Sequence, residues 1–260
     1  MGGYLVKYLK RFVLMLQFMT AIPLRVNLKV TQEDYGKGLV FAPLVGLFIG
    51  GVLVGAWYVL DLVFPIYVTA VMIVAIYILL TGGLHMDGLG DTFDGLFSKK
   101  PRERMLEIMR DSHVGTYAVL AIITVVLLDI VMLSSFSKDM IFKVLLLMPA
   151  AGRIGSLMGS GVSVYARSGE GLGKSFIDYC GIREVLFGLV IYSIIFYLAA
   201  GLSGIVFAVI PPITAFITVK LFSRKIGGAT GDILGAVCEI NQTVFLMTVY
   251  LIQKIIFNFY

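Results

Sequence analysis

The sequence predicts an all-α, polytopic membrane protein: a transmembrane helical bundle of about seven spanning helices, plus an N-terminal interfacial or re-entrant helix. Three observations carry this prediction. Of the 260 residues, 59% are hydrophobic and only 14% are charged, against about 25% charged in soluble domains. Mean hydropathy is +0.96. The apolar residues fall in runs of about 20, the length that crosses a hydrocarbon core as a helix, and they do not alternate with polar ones as barrel strands would.

The elements follow in order. Phe12 to Leu24 is apolar but short, holds Gln17, and is flanked by Lys7, Lys10, Arg11 and Arg25. At 1.5 Å per residue it reaches about 20 Å, too little to span, so it is read as the interfacial or re-entrant helix. Seven longer runs are read as spans: Gly38–Leu60, Leu62–Leu80, Val114–Leu133, Met140–Met158, Glu184–Leu202, Gly204–Phe222 and Ile233–Gln253. Between the second and third, Pro101 opens a short amphipathic segment with Met105, Leu106, Ile108 and Met109, expected to lie on the membrane surface. Its Arg102 and Arg104 are expected to meet headgroups or solvent. No linker, repeat or cleavable signal peptide is evident, so residues 1–260 read as a single integral membrane domain.

Charge orients the spans. Net charge is +5, and the basic residues concentrate in alternate loops: Lys99, Lys100, Arg102, Arg104 and Arg110 in one, Arg167, Lys174 and Arg183 in another, Arg224 and Lys225 in a third. The positive-inside rule places these loops in the cytoplasm and the C-terminus outside. The expected location is the cell membrane, with the site below on the cytoplasmic face. The positive balance is loop bias, so nucleic acid is not an expected partner. Two cysteines, Cys180 and Cys238, are too few for a disulfide framework and are expected to be free.

The densest chemistry is the segment Gly82-Gly-Leu-His-Met-Asp-Gly-Leu-Gly-Asp-Thr-Phe-Asp-Gly95. Asp87, Asp91 and Asp94 stand at i, i+4 and i+7, which puts all three on one helical face. Three like charges within two turns repel unless a cation neutralises them, and hard carboxylate oxygens suit Mg²⁺ together with substrate phosphates. A second acidic set opens the last span, with Asp232 after Gly227-Gly-Ala-Thr-Gly231 and Glu239 seven residues on. That glycine-rich approach, with Gly228 and Thr230, could present backbone N–H groups to phosphate. Asp232 could also serve as the helix N-cap. Glu239, two turns inside an apolar run, is a functional candidate because ionisable groups are expensive there.

Cations and histidines complete the inventory. Arg110, Arg153, Arg167 and Lys174 are candidates to neutralise phosphate, with Arg153 alternatively pairing with the acidic cluster or snorkelling to the interface. Gly-Lys-Ser at 173–175 resembles the end of a P-loop, but Ser168 stands where that motif needs glycine and no strand precedes it, so an ATPase is excluded. His85 and His113 are too far apart for a local zinc motif. His85 remains a candidate general base or a structural hydrogen-bonding group. Asp129, within a span, reads either as an interhelical contact or as a cavity-lining residue.

The segment Gly82–Phe97 resembles the signature of the cobalamin synthase (adenosylcobinamide-GDP ribazoletransferase) family. Arg104-Met-Leu-Glu-Ile-Met-Arg-Asp-Ser-His-Val-Gly-Thr116, Phe18-Met-Thr-Ala-Ile-Pro23, Tyr165-Ala-Arg167, Glu170-Gly-Leu-Gly-Lys174 and Gly227–Asp232 fit as well, so the resemblance runs from Phe18 to Glu239. It implies a Mg²⁺-dependent membrane transferase that joins adenosylcobinamide-GDP to α-ribazole or its 5′-phosphate, releasing GMP. Homo-oligomerisation and association with other enzymes of cobalamin assembly are compatible with it, in a surround of membrane lipid. On this reading Asp87, Asp91, Asp94, Asp232 and Glu239 are the expected metal ligands. Asp94, Asp91 and His85 are the expected catalytic groups, Asp94 being a candidate proton acceptor. Arg110, Arg153, Arg167, Lys174, Gly228 and Thr230 would bind substrate.

Two other classes stand against it. A CDP-alcohol phosphotransferase shares Asp-x-x-Asp-Gly, but here Gly95 is followed by Leu-Phe-Ser-Lys, which breaks that pattern. A corrinoid or ion transporter would set acidic groups near the midplane of both halves, whereas these gather at one face.

Overall fold

The computed structural model describes residues 2–256. The order is α1 (Gly2–Met19), α2 (Gln32–Gly38), a 3₁₀ turn (Leu39–Phe41), α3 (Ala42–Leu60), α4 (Ile66–Thr81), α5 (Leu84–Phe97), α6 (Arg102–Ile108), α7 (Thr116–Ser134), α8 (Lys138–Gly161), α9 (Leu172–Asp178), α10 (Ile182–Ile226) and α11 (Gly231–Ile256). The expected all-α polytopic class holds. Among the described residues, five helical stretches are long and apolar enough to cross a bilayer: Gln32–Leu60, α7, α8, α10 and α11. The bent pair α4 and α5 would make a sixth if counted as one span.

α10 corresponds to two of the sequence-predicted spans. At 45 residues it would be about 68 Å long if straight, twice a hydrocarbon core. It is broken at Gly201, whose φ 60° and ψ −140° no L-residue adopts readily. The chain folds back there: a Cβ on Gly204 would lie 1.9 Å from the Phe196 carbonyl oxygen, although eight residues of straight helix separate two points by about 12 Å.

The N-terminal element differs from expectation. The helix runs Gly2–Met19 rather than Phe12–Leu24 and stops short of Pro23, which disfavours helix in the residue before it. The Thr20 hydroxyl closes its last turn on the Leu16 carbonyl at 2.6 Å. α1 is tied to α2 by Asp34, which accepts from Lys10 at 2.5 Å and Arg11 at 3.0 Å.

α8 is the axis of the bundle, buried on every side from Leu147 to Leu157. Lipid offers no hydrophobic drive between helices, so close packing of small residues substitutes for it. Gly46 and Gly50 of α3, a G-x-x-x-G pair, rest on the backbone of Ala150 and Leu146. On the other side, Gly152 and Gly155 of α8 face Cys238 and Val237 of α11.

α4 ends in two successive left-handed glycines, Gly82 (φ 64°) and Gly83 (φ 67°), and α5 leaves at 91° to α4. Those two glycines make the corner. α5, about 21 Å long by its 14 residues, therefore turns across the end of α4 and is too short to cross a bilayer by itself.

α6 forms where Pro101 predicts it, but Arg102 departs from the expected headgroup or solvent role. Its Nε donates to the Ile226 carbonyl at 2.7 Å and its Nη2 to the Ala166 carbonyl at 2.6 Å, satisfying carbonyls at the end of α10 and in the 162–171 loop. Arg104 is exposed, with Glu107 as partner, as expected. Cys180 and Cys238 are free and buried. Asp129 accepts from Thr243 at 2.7 Å, an interhelical contact between α7 and α11.

Candidate active site

α5 and α11 meet through glycine. A Cβ on Gly88 would lie 2.9 Å from the Asp232 carbonyl oxygen, and one on Gly235 3.2 Å from the His85 carbonyl oxygen. This approach lays the acidic face of α5 beside the first turn of α11. Above the junction is a cavity of about 610 Å³, within the range of small-molecule sites. Asp87, His85, Arg110, Arg167, Glu170 and Asp232 supply its charged and titratable lining.

The negative charge is concentrated. Asp87 is exposed, and Asp91 is half-buried one turn further along α5. Burial, reinforced by the carboxylates of Asp87 and Asp232, pushes the Asp91 carboxyl up to about 7. Arg167 donates through Nη2 to Asp232 Oδ2 at 2.7 Å and to the Met109 carbonyl at 3.4 Å. Arg167 and Arg110 thus share the cavity with Asp87, Glu170 and Asp232, and Asp91 stands one turn further along α5, outside the lining. The surplus negative charge and the oxygen-only donor set suit a hard divalent cation carried with substrate phosphates.

Asp94, although in helical register with Asp87 and Asp91, is turned to a different partner. Its Oδ2 accepts from the Gly115 amide at 2.6 Å and its Oδ1 from the Ala118 amide at 2.9 Å. It caps the start of α7, where a carboxylate is favoured by the unpaired amides and the helix dipole. It does not line the cavity.

Thr230, not Asp232, is the N-cap of α11. Its hydroxyl accepts from the Ile233 amide at 3.2 Å, which leaves Asp232 free to face the cavity. Thr230 is buried, and so is Gly228, which packs on the Val164 and Ala166 backbone where Tyr165 and Ala229 form a short parallel bridge. Neither lines the cavity. Lys174 pairs with Asp178 on α9 and also lies outside the lining.

Arg153 and Glu239 lie deeper. Arg153 is wholly buried on α8 and does not snorkel. It donates to the Tyr77 hydroxyl at 2.9 Å and to Gln242 at 3.3 Å, and Tyr77 donates to Glu239 at 2.6 Å. The network ties α4, α8 and α11 together. His85, on the cavity floor, approaches Glu239 to 4.0 Å through Nδ1. Ligand atoms of His85, Cys238 and Glu239 come within 4.8 Å of one another, but the Arg153 guanidinium already supplies the positive charge there, and a cation would be repelled by it.

Sequence reading missed the walls of the cavity. Phe18 and Met19 from α1, Leu39 from the 3₁₀ turn, Leu172 and Phe176 from α9, and Tyr165 and Glu170 from the loop before α9 all line it. The family-like segments Phe18–Pro23, Tyr165–Arg167 and Glu170–Lys174 hold Phe18, Met19, Tyr165, Glu170 and Leu172, but nothing in them indicated a shared cavity. The aromatic contributions come from segments far apart in the chain.

Comparison with known proteins places the chain. It matches the cobalamin-5-phosphate synthase family over residues 11–250. A protein of Acetivibrio thermocellus named adenosylcobinamide-GDP ribazoletransferase is 59% identical over 247 residues, covering 95% of this chain and 100% of the relative. Relatives of the same name from Clostridium acetobutylicum (53% identical; 94% of this chain, 96% of the relative) and Caldanaerobacter subterraneus (40%; 91% and 96%) also match. No solved structure matches. With a family match across residues 11–250 and such identity at full coverage, the chain belongs to the cobalamin-5-phosphate synthase family.

Proposed function

We propose that the chain joins adenosylcobinamide-GDP to α-ribazole or α-ribazole 5′-phosphate, giving adenosylcobalamin or its 5′-phosphate and GMP. Family membership supports the reaction. The observation that supports its location is the pairing of Asp87 and Asp232 with Arg167 and Arg110 around one cavity. In the reaction a ribose hydroxyl attacks the phosphorus attached to the cobinamide. The new P–O bond forms to the ribose oxygen, the P–O bond to GMP breaks, and the hydroxyl proton leaves to a base.

Such transfers depend on positioning and charge neutralisation. Asp87, Asp91 and Asp232 are the residues that would hold Mg²⁺. When bound, it would neutralise the diphosphate and the departing GMP. Arg167 holds Asp232 in place from one side and presents its remaining N–H groups to phosphate. Arg110, exposed at the cavity rim, meets the same charge. His85, which lines the cavity, is the group placed to take the hydroxyl proton. Asp94 acts on the site indirectly, by fixing α7 against α5. Glu239 and Arg153 hold the floor of the cavity and do not ligate.

We place this site on the cytoplasmic side of the cell membrane, with seven crossings once α10 is counted as two. The reading is supported by the basic residues of the loops at the same end as the cavity, Arg102, Arg110, Arg167, Arg224 and Lys225. The test is turnover by purified protein in detergent or liposomes, given adenosylcobinamide-GDP and α-ribazole 5′-phosphate with and without Mg²⁺. Cobalamin 5′-phosphate and GMP in equal amounts are expected only with Mg²⁺. No product from folded protein would refute the assignment.

A further inference from the structure

The cavity has two chemically different ends. One carries Asp87, Asp232, Arg110 and Arg167. The other is walled by Phe18, Met19, Leu39 and Phe176, which belong to one apolar cluster and offer no polar side-chain atom. Phe18 and Phe176 meet at 4.7 Å between ring centroids, and Tyr35 braces Phe176 edge-on at 5.8 Å. Residues of α1, the 3₁₀ turn and α9 thus build this apolar wall, with its two aromatic rings supplied by α1 and α9.

The two ends are close together. Gly173 rests on Gly231: a Cβ there would lie 2.8 Å from the Gly231 amide nitrogen. Asp232 follows Gly231 directly, and Phe176 lies one turn of α9 beyond Gly173, about 4.5 Å along the axis. A molecule with a flat apolar group joined directly to a hydroxylated sugar matches that spacing.

We propose that the Phe18–Phe176 end is the subsite for the benzimidazole base of the acceptor nucleoside, holding its ribose hydroxyl toward Asp87 and Asp232. The inference rests on the functional reading above, which makes α-ribazole the acceptor. The other candidates for this end are the guanine of the donor and its corrin ring. Guanine carries an amide and an amino group on its edge, and this wall would leave them buried and unpaired, which disfavours it. The outer edge of dimethylbenzimidazole carries only methyl groups. A corrin ring with its amide side chains is bulky and polar, and it would sit over the mouth of the cavity rather than against this wall.

The experiment uses the purified full chain in detergent. Binding of radiolabelled α-ribazole is measured by equilibrium dialysis, and KM for each substrate by turnover, for wild type, Phe176→Ala, Phe176→Leu and Phe18→Ala. Loss of a stacking face is expected to weaken α-ribazole binding and raise its KM about tenfold, with KM for adenosylcobinamide-GDP within about twofold. Phe176→Leu keeps the apolar volume, and it should show the same split if the alanine variants do not fold. In the wild type, free 5,6-dimethylbenzimidazole should compete with α-ribazole and not with adenosylcobinamide-GDP. A rise in the donor KM or in the GMP inhibition constant with α-ribazole affinity unchanged would overturn the subsite, as would competition of the free base with the donor alone. Absence of turnover in the wild type would instead defeat the functional reading, and dialysis would still decide whether this wall holds the base.

Discussion

Gly88→Ala probes whether the site depends on α5 and α11 lying in contact. The added Cβ would stand 2.9 Å from the Asp232 carbonyl oxygen and 3.1 Å from its Cα. Carbon atoms settle at about 3.5 Å or more, so the helices must part by about 0.4 Å. These are backbone atoms, and no side-chain rotation relieves the clash. Overpacking of this kind costs about 1–3 kcal/mol. A misplacement of about 1 Å can cost 10²-fold in rate, so about 0.4 Å between the α5 carboxylates and Asp232 should lower kcat roughly tenfold. The assay is turnover at saturating substrate and Mg²⁺, beside thermal unfolding in detergent. Gly51→Ala on α3 adds the same methyl where nothing lies within 4 Å, and it should leave kcat unchanged. Full activity in Gly88→Ala, with an unaltered Mg²⁺ requirement, would show that contact between α5 and α11 is not needed for catalysis.

Further outcomes follow from the same geometry. Asp91, held up at about 7, must lose its proton before it can ligate, so a cation competes with H⁺. Apparent Mg²⁺ affinity should rise as pH increases toward 7, by at most tenfold per unit, and level off above it. In Asp91→Asn that dependence should be lost, and a Mg²⁺ titration at several pH values reads both. Asp94→Ala removes the cap of α7 and should cost about 0.5–2 kcal/mol, lowering the melting temperature. Tyr77→Phe strips Glu239 and Arg153 of a shared buried partner, a cost of about 1–3 kcal/mol. If that network is structural, KM for both substrates should stay within a few-fold.

The spans were legible because apolar runs of bilayer length admit little but helix, and the turn near Ser203 marked the break that falls at Gly201. The acidic face of α5 was legible because register alone puts Asp87 and Asp91 together. Register could not show that Asp94 faces α7. That depends on the 91° corner at Gly82–Gly83, which brings Gly115 and Ala118 to it. Thr230 carried a readable capping signal three residues before the Ile233 amide, though Asp232 offered an equally plausible cap. The burial of Arg153 came from packing: α3, α10 and α11 enclose α8, and the arginine has Tyr77 and Gln242 as partners. The aromatic wall was not legible because Phe18, in the long helix α1, and Phe176, in the short helix α9, are far apart in the chain, and only folding brings their rings together.

The most direct test of the central claim is Asp232→Asn, which removes one charge and keeps the side-chain shape. It is assayed by turnover across a Mg²⁺ titration, with unfolding temperature as a control. The account predicts a fall in kcat of at least about 10²-fold and a shift of half-saturating Mg²⁺ to higher concentration, at a melting temperature close to wild type. An Asp232→Asn protein with wild-type turnover and unchanged Mg²⁺ dependence would contradict it.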